Sequence, residues 1–214
     1  TEMPSVGPGT EFLLAQPFLA DTARELEALG AKHLPAPFPL GAIGTSAWLE
    51  QAAKAFGVSN QTFEATIEAP KKRALQALSK HRRELTGKKI FFFPDSQLEI
   101  PLARFLHTEL GMHLSEIGTP YLHRRHLDAE LQQIPASARI VEGQDVEEQL
   151  DRCREEAPDL VVCGLGLANP LEADGFTTKW AIELVFTPIQ GFEQAGDLAG
   201  LFSRPLIRRL KLVA

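Results

Sequence analysis

Cysteine, tryptophan, methionine and tyrosine are all scarce in this chain: two, two, two and one among 214 residues. Cys153 and Cys163 match neither the paired C-x-x-C spacings of structural zinc sites nor the thioredoxin and ferredoxin patterns. One falls in a helical pattern and the other in an apolar strand pattern. Both therefore read as small buried residues, and a reducing, cytoplasmic compartment follows. No apolar run is long enough to span a bilayer. A basic excess is missing too. Lys and Arg number 22 against 28 Asp and Glu, a net charge of −6, which argues against nucleic acid as a partner. No G-x-S-x-G occurs, so a serine hydrolase has no nucleophile elbow. Internal repeats and low-complexity tracts are absent, and the opening "TEMPSVGPGT" lacks an initiator Met, as expected of the interior of a longer chain.

What is present is the composition of a globular protein, 44% hydrophobic and 23% charged. The segment to residue 86 is helix-rich. "DTARELEALG" predicts a helix with Asp21 as N-cap and Gly30 as its stop. The proline- and glycine-rich stretch 31–44 predicts an irregular loop, with Thr45 capping a helix closed by Gly57. A third helix is expected over 70–85, with Pro70 in its first turn. From residue 87 to 190 the pattern alternates. Apolar strands at "KKIFFFPD", "MHLSEIG", "ARIVEG" and "PDLVVCGLG" are separated by helices at 96–111, 123–134 and 145–157. That order predicts a Rossmann-like α/β fold, a parallel sheet covered by helices in three α/β/α layers, with ligands outside the carboxyl ends of the strands. Residues 191–214 form a last helix, interrupted at Pro205, that packs back on the rest.

Several motifs invite chemistry. "GLGLAN" supplies Gly164 and Gly166 of a dinucleotide fingerprint but has Asn169 in the third place. "NPLE" reads better as a capping box, Asn169 capping, Pro170 first and Glu172 reaching back, with Gly175 as the stop. In "HRRH", His123 and His126 share a helix face near Asp128 and Glu130, too few ligands for zinc, so a solvated, salt-bridged helix is expected. The cations Arg204, Arg208, Arg209 and Lys211 read as a solvated helix end. The stretch "GFTTKWAIELVF" (175–186) is the richest. As a strand it would align Trp180, Ile182, Leu184 and Phe186; a helix turning to strand near Leu184 suits the alternation better. Large aromatics are mostly core, yet these two follow a strand's carboxyl end, where a ligand wall would stand.

Three strings carry a resemblance. "EGQDVEEQLDRCREEAPDLVVCGLGLANPLEADGFTTKWAIELVF", "PIQGFEQAGDLA" and "PFPLGAIGTSAWL" together resemble the N subunits of light-independent (dark-operative) protochlorophyllide reductase, relatives of the nitrogenase molybdenum–iron protein. The likeness covers nearly the whole chain and marks it as a carboxyl-terminal half, with 1–86 belonging to a middle domain. It implies an oxidoreductase subunit of (bacterio)chlorophyll biosynthesis that lines the pigment cavity for ATP-dependent, ferredoxin-linked reduction of the C17=C18 bond of protochlorophyllide to chlorophyllide. The implied partners are the B subunit, in an N2B2 heterotetramer, and an iron–sulfur ATPase reductase component carrying ATP and Mg. The implied [4Fe–4S] cluster has its cysteine ligands elsewhere, since neither Cys153 nor Cys163 matches them. Location would be the cytoplasm, or the plastid stroma in a photosynthetic eukaryote. Trp180 and Phe186 match the family's pigment-facing residues, and Phe176 and Thr178 flank them. The resemblance assigns no catalytic and no metal-ligating residue to this chain, which alone should be inactive. The alternatives are a non-catalytic, nitrogenase-like cofactor scaffold and a flavodoxin-like nucleotide-binding domain.

Overall fold

The computed structural model describes residues 5–143 and 145–213. The first four residues, Gln144, Ala214 and the side chains of Lys211, Leu212 and Val213 lie outside it. Five parallel strands make the sheet, in spatial order β5-β4-β3-β6-β7: β3 Lys89–Phe92, β4 His113–Thr119, β5 Arg139–Glu142, β6 Leu160–Cys163 and β7 Thr178–Trp180. The order reverses beside β3, since the chain runs outward through β4 and β5, then returns to β6 and β7 on the other side.

Period-two alternation sorts the strand side chains onto two faces. Ile90, Phe92, Leu160 and Val162 pack with Ala181, Leu184 and the helices α2 (Gly41–Ala55), α3 (Asn60–Leu85), α4 (Glu99–Leu110) and α9 (Ala195–Val213). Phe91, Phe93, Val161 and Cys163 pack instead on Cys153 of α6 (Val146–Glu156) and on Ala168 and Leu171 of α7 (Leu165–Ala173). Helices thus cover both faces, which is the three-layer α/β/α arrangement that the alternation predicts.

Local signals placed several helix starts wrongly. Helix α1 (Ala20–Ala28) begins after Leu19, and Asp21 lies in its first turn, paired with Arg24 instead of capping. Gly30 does stop it, at φ +94°. The expected loop 31–44 contains a short strand, β2 (Lys32–His33), parallel to β1 (Glu11–Phe12). Thr45 is not an N-cap either: α2 starts four residues earlier. Its free amides at Ala42 and Ile43 donate to the Glu109 carboxylate of α4, at 2.7 and 3.1 Å. A distant acid performs the capping, so no local residue needs to. Gly57 follows α2 at φ +66°, as its stop.

Pro70 sits inside α3, not at its start. The helix begins at Ser59, whose hydroxyl accepts the Thr62 amide, and runs unbroken for 26 residues. Phe63, Ile67, Ala74, Leu78 and Leu85, at steps of four and seven, give it one continuous buried stripe across the proline. The lost hydrogen bond at Pro70 costs less than abandoning that stripe. Pro205 likewise lies within α9, which continues to Val213.

A charged cluster is buried where α2, α4 and α5 (Arg124–Leu131) meet. Arg104, with no exposed surface, donates to Glu130 at 2.8 Å and to the carbonyls of Leu40 and Phe38 at 3.0 Å each. Glu130 in turn accepts the Phe38 amide at 2.6 Å. Burial pushes the Glu109 carboxyl up, against the opposing pull of Arg104. Side chains have no room here: a Cβ on Gly44 would meet Arg104 Nη2 at 2.4 Å, and one on Gly41 would meet Glu109 Oε1 at 2.3 Å. The expected solvated helix over 123–134 is corrected in part: Glu130 and His126 are buried, whereas Arg124, Arg125 and Asp128 are exposed and Arg125 pairs with Glu27.

Candidate functional site

The site is built at the sheet's far edge, where, among the described residues, β7 pairs with β6 alone. Register sets Thr178 beside Val161, Lys179 beside Val162 and Trp180 beside Cys163. Thr178 and Trp180 consequently share one face while Lys179 points to the other, where it is buried and paired with Glu183. The Ala181 amide donates to the Cys163 carbonyl at 3.0 Å and closes the ladder; the chain then turns into α8 (Ile182–Phe186). The expected helix-then-strand order of "GFTTKWAIELVF" is thus reversed. β6 offers an open row of amides and carbonyls, and two threonines fit a pleated edge better than a short helix.

The exposure pattern of α8 is inverted relative to an ordinary surface helix. Ala181 and Leu184 turn inward, whereas Ile182, Val185 and Phe186 face outward. Trp180 is 41% exposed and Phe186 81%, so neither ring is the core residue that composition favours. A groove of about 760 Å³ runs along β7 and brings together Phe176, Thr178 and Trp180 with Arg204, Arg208 and Arg209. Phe186 stands apart from this groove, on α8. A smaller hollow of about 270 Å³, bordered by Phe18, Leu98 and Val185, adjoins the same helix. Phe176 is half-buried against Leu171, and the Thr178 hydroxyl donates to Glu172.

The arginines were read as a solvated helix end, and they are exposed. Their second role, as one wall of the groove, was missed. The available signal was the i, i+4 spacing of Arg204 and Arg208, which puts both on one face of α9.

The strand ends nearer the sheet centre speak against a nucleotide. Helix α7 starts at Leu165 directly after β6, with Asn169 and Pro170 inside it, so the predicted capping box does not form. Glu172 accepts from Thr178 instead of reaching back. Gly166 and Pro170 are both exposed, so water can serve the carbonyl that the proline leaves free. Gly175 does end the turn, at φ +90°. A phosphate would sit at the amino end of α7, but Asp95 is already there: a Cβ on Gly164 would lie 3.0 Å from its Oδ1. Burial pushes the Asp95 carboxyl up. Behind it, Glu99 is fully buried and accepts the Asp95 and Ser96 amides at 2.9 and 2.7 Å.

The residues do not fit an iron–sulfur cluster. Burial pushes both cysteine thiols up to about 12, far from the thiolate a metal requires. Among the described residues no three His, Cys, Asp or Glu side chains converge on a point that could hold a metal. No described helix is long and apolar enough to cross a membrane.

Known proteins are similar to this chain in sequence and in architecture. Subunit N of the light-independent protochlorophyllide reductase of Rhodopseudomonas palustris (strain BisA53) is 69% identical over 212 residues, covering 99% of this chain and 50% of its own length. The subunit N of Bradyrhizobium sp. (strain ORS 278) is 65% identical, with the same coverage. The chain spans about half the length of the curated relatives it matches. Two solved nitrogenase Cp1 structures, at pH 6.5 and pH 5, superpose with TM-scores of 0.72 and 0.73. They are 17% and 13% identical, covering 94% and 95% of this chain and 46% and 48% of theirs, and so they speak to the fold alone. A family model described as nitrogenase component 1 type oxidoreductase matches residues 1–206. With that match spanning almost all of the sequence, the chain belongs to the nitrogenase component 1 type oxidoreductase family.

Proposed function

We propose that this chain is part of the catalytic component of a light-independent protochlorophyllide reductase and supplies one wall of its pigment cavity. The observation that carries this reading is the outward-facing set of Trp180, at the carboxyl end of β7, and Ile182, Val185 and Phe186 of the following α8. A tetrapyrrole presents a broad flat apolar face, and wide aromatic and aliphatic walls with few polar groups suit it. Exposed rings in this half-subunit need a cover, and a pigment held against a second subunit provides one. The high identity to named N subunits supports the same assignment.

In this reading Trp180 and Phe186 contact the macrocycle, while Phe176 and Thr178 shape the flank of the groove. The chemistry is reduction of the C17=C18 bond to give chlorophyllide. This chain's residues bind and orient the pigment and keep water from its face. The [4Fe–4S] cluster, ATP and Mg belong to residues and chains other than those described: the rest of the subunit, the B subunit of an N2B2 assembly and an iron–sulfur ATPase reductase component in a ferredoxin-linked electron supply. Two thiols kept protonated by burial suit a reducing cytoplasm.

The test is Trp180→Ala and Phe186→Ala in the complete reconstituted enzyme. Removing about 100 Å² of ring contact weakens pigment binding by roughly 2.5 kcal/mol, on the order of fifty-fold in Kd or KM. Unchanged pigment affinity and turnover in both variants overturns the reading. Pigment that binds but is never reduced by the full complex leaves a carrier scaffold instead.

A further inference from the structure

Among the described residues the outer edge of β7 has no strand partner. In the ladder with β6, the Thr177 carbonyl accepts from Val161 and the Ala181 amide donates to Cys163, so the main chain at 177, 179 and 181 faces inward. Alternation turns the amides and carbonyls of Thr178 and Trp180 outward, into the groove. An open edge of this kind is a template for one more strand.

Its flank is cationic, in a chain whose net charge is −6. Arg204 and Arg208 make no ion pair among the described residues, and Arg209 donates to the Thr177 hydroxyl at 3.1 Å. The groove's two acids do not balance its four cations. Glu183 pairs with Lys179, and Glu172, which accepts only from the neutral Thr178 hydroxyl, can offset one of the three arginines. Uncompensated positive charge thus lies beside free strand amides.

We propose that the β7 edge docks an extended acidic segment of a second polypeptide, which adds a sixth strand and pairs its carboxylates with Arg204 and Arg208. Main-chain hydrogen bonds to Thr178 and Trp180 give the contact its geometry, and the arginines select an acidic sequence. The indole of Trp180 lies at the strand's end, so the docked segment would border the exposed α8 face. The inference stands on edge and charge geometry and does not require the pigment reading.

The test uses the full-length subunit in its assembled complex. In an Arg204→Lys/Arg208→Lys variant, a carbodiimide joins amines to carboxylates in direct contact. The expected products are cross-links from positions 204 and 208 to an acidic stretch of another chain. Cross-links confined to the same chain, or none at all, overturn the proposal. Hydrogen exchange gives a second readout: amides 178 and 180 should exchange at least about tenfold more slowly in the complex than in the isolated subunit. In an Arg204→Glu/Arg208→Glu variant that protection is expected to fall away. Protection that persists with reversed charge, or that is already present in the subunit alone, counts against an acidic partner strand.

Discussion

The α2–α4–α5 junction and the β7–α8 edge reverse the usual distribution of polar and apolar groups. At the first, an arginine and two glutamates are sealed from solvent; at the second, a tryptophan and a phenylalanine stand in it. Both arrangements are costly to an isolated chain, and different physics offsets each cost. The buried charges are satisfied internally, because Arg104 reaches two carboxylates and two carbonyls and each carboxylate also accepts backbone amides. The exposed rings find nothing comparable among the described residues. A group satisfied internally serves folding, whereas one left unsatisfied points to something outside.

The sharpest way to break that contrast is Arg104→Ala. It leaves Glu130 and Glu109 as buried carboxylates without their cation, at a cost of about 3–5 kcal/mol. Urea or thermal unfolding should show a large loss, and a near-wild-type midpoint would mean the cluster is not structural. A smaller effect is expected at the neighbouring His126, whose ring meets His33 edge-on at 5.3 Å. Both of its ring nitrogens are buried without a partner. Burial holds both histidines below their ordinary 6.5, with Arg125 disfavouring the charged form and Glu27 favouring it; His33 and His123 also face His126. A lowered histidine value means the unfolded chain takes up protons first. The stabilisation is therefore complete above about pH 6.5 and falls as the pH drops below it, by at most about 1.4 kcal/mol per pH unit for each ring. Melting points between pH 7.5 and 5.5 should decline in the wild type and flatten in His126→Phe. The smallest effect is expected for Phe186→Ser, within about 0.5 kcal/mol of wild-type stability. A large destabilisation there would make the exposed ring a structural residue after all.

Legibility in the sequence followed the range of the forces involved. The alternation of apolar runs with helical patterns after residue 87 was readable because each strand and helix needs only its own periodicity. Gly30, Gly57 and Gly175 were readable as stops, since a left-handed turn needs the same residue type whatever surrounds it. Thr45 and Asn169 were misread as caps. The first position is supplied by Glu109, 64 residues away in sequence (109 − 45), and the second is overridden by a helix that starts at the end of β6. "GFTTKWAIELVF" was read in the wrong order because the decisive partner was the open side of β6. The stretch itself held only weak preferences.

By itself, then, the amino-acid order determined the layer architecture, the burial of the two thiols and the chain's acidic character, because periodicity, side-chain chemistry and charge are local or additive properties. Only the tertiary structure decided that Arg104, Glu109 and Glu130 meet, that Trp180 and Phe186 face outward, and that Arg204 and Arg208 flank an open strand edge. Those facts depend on which distant segments come together, and in a close-packed interior that is settled by the whole set of contacts at once.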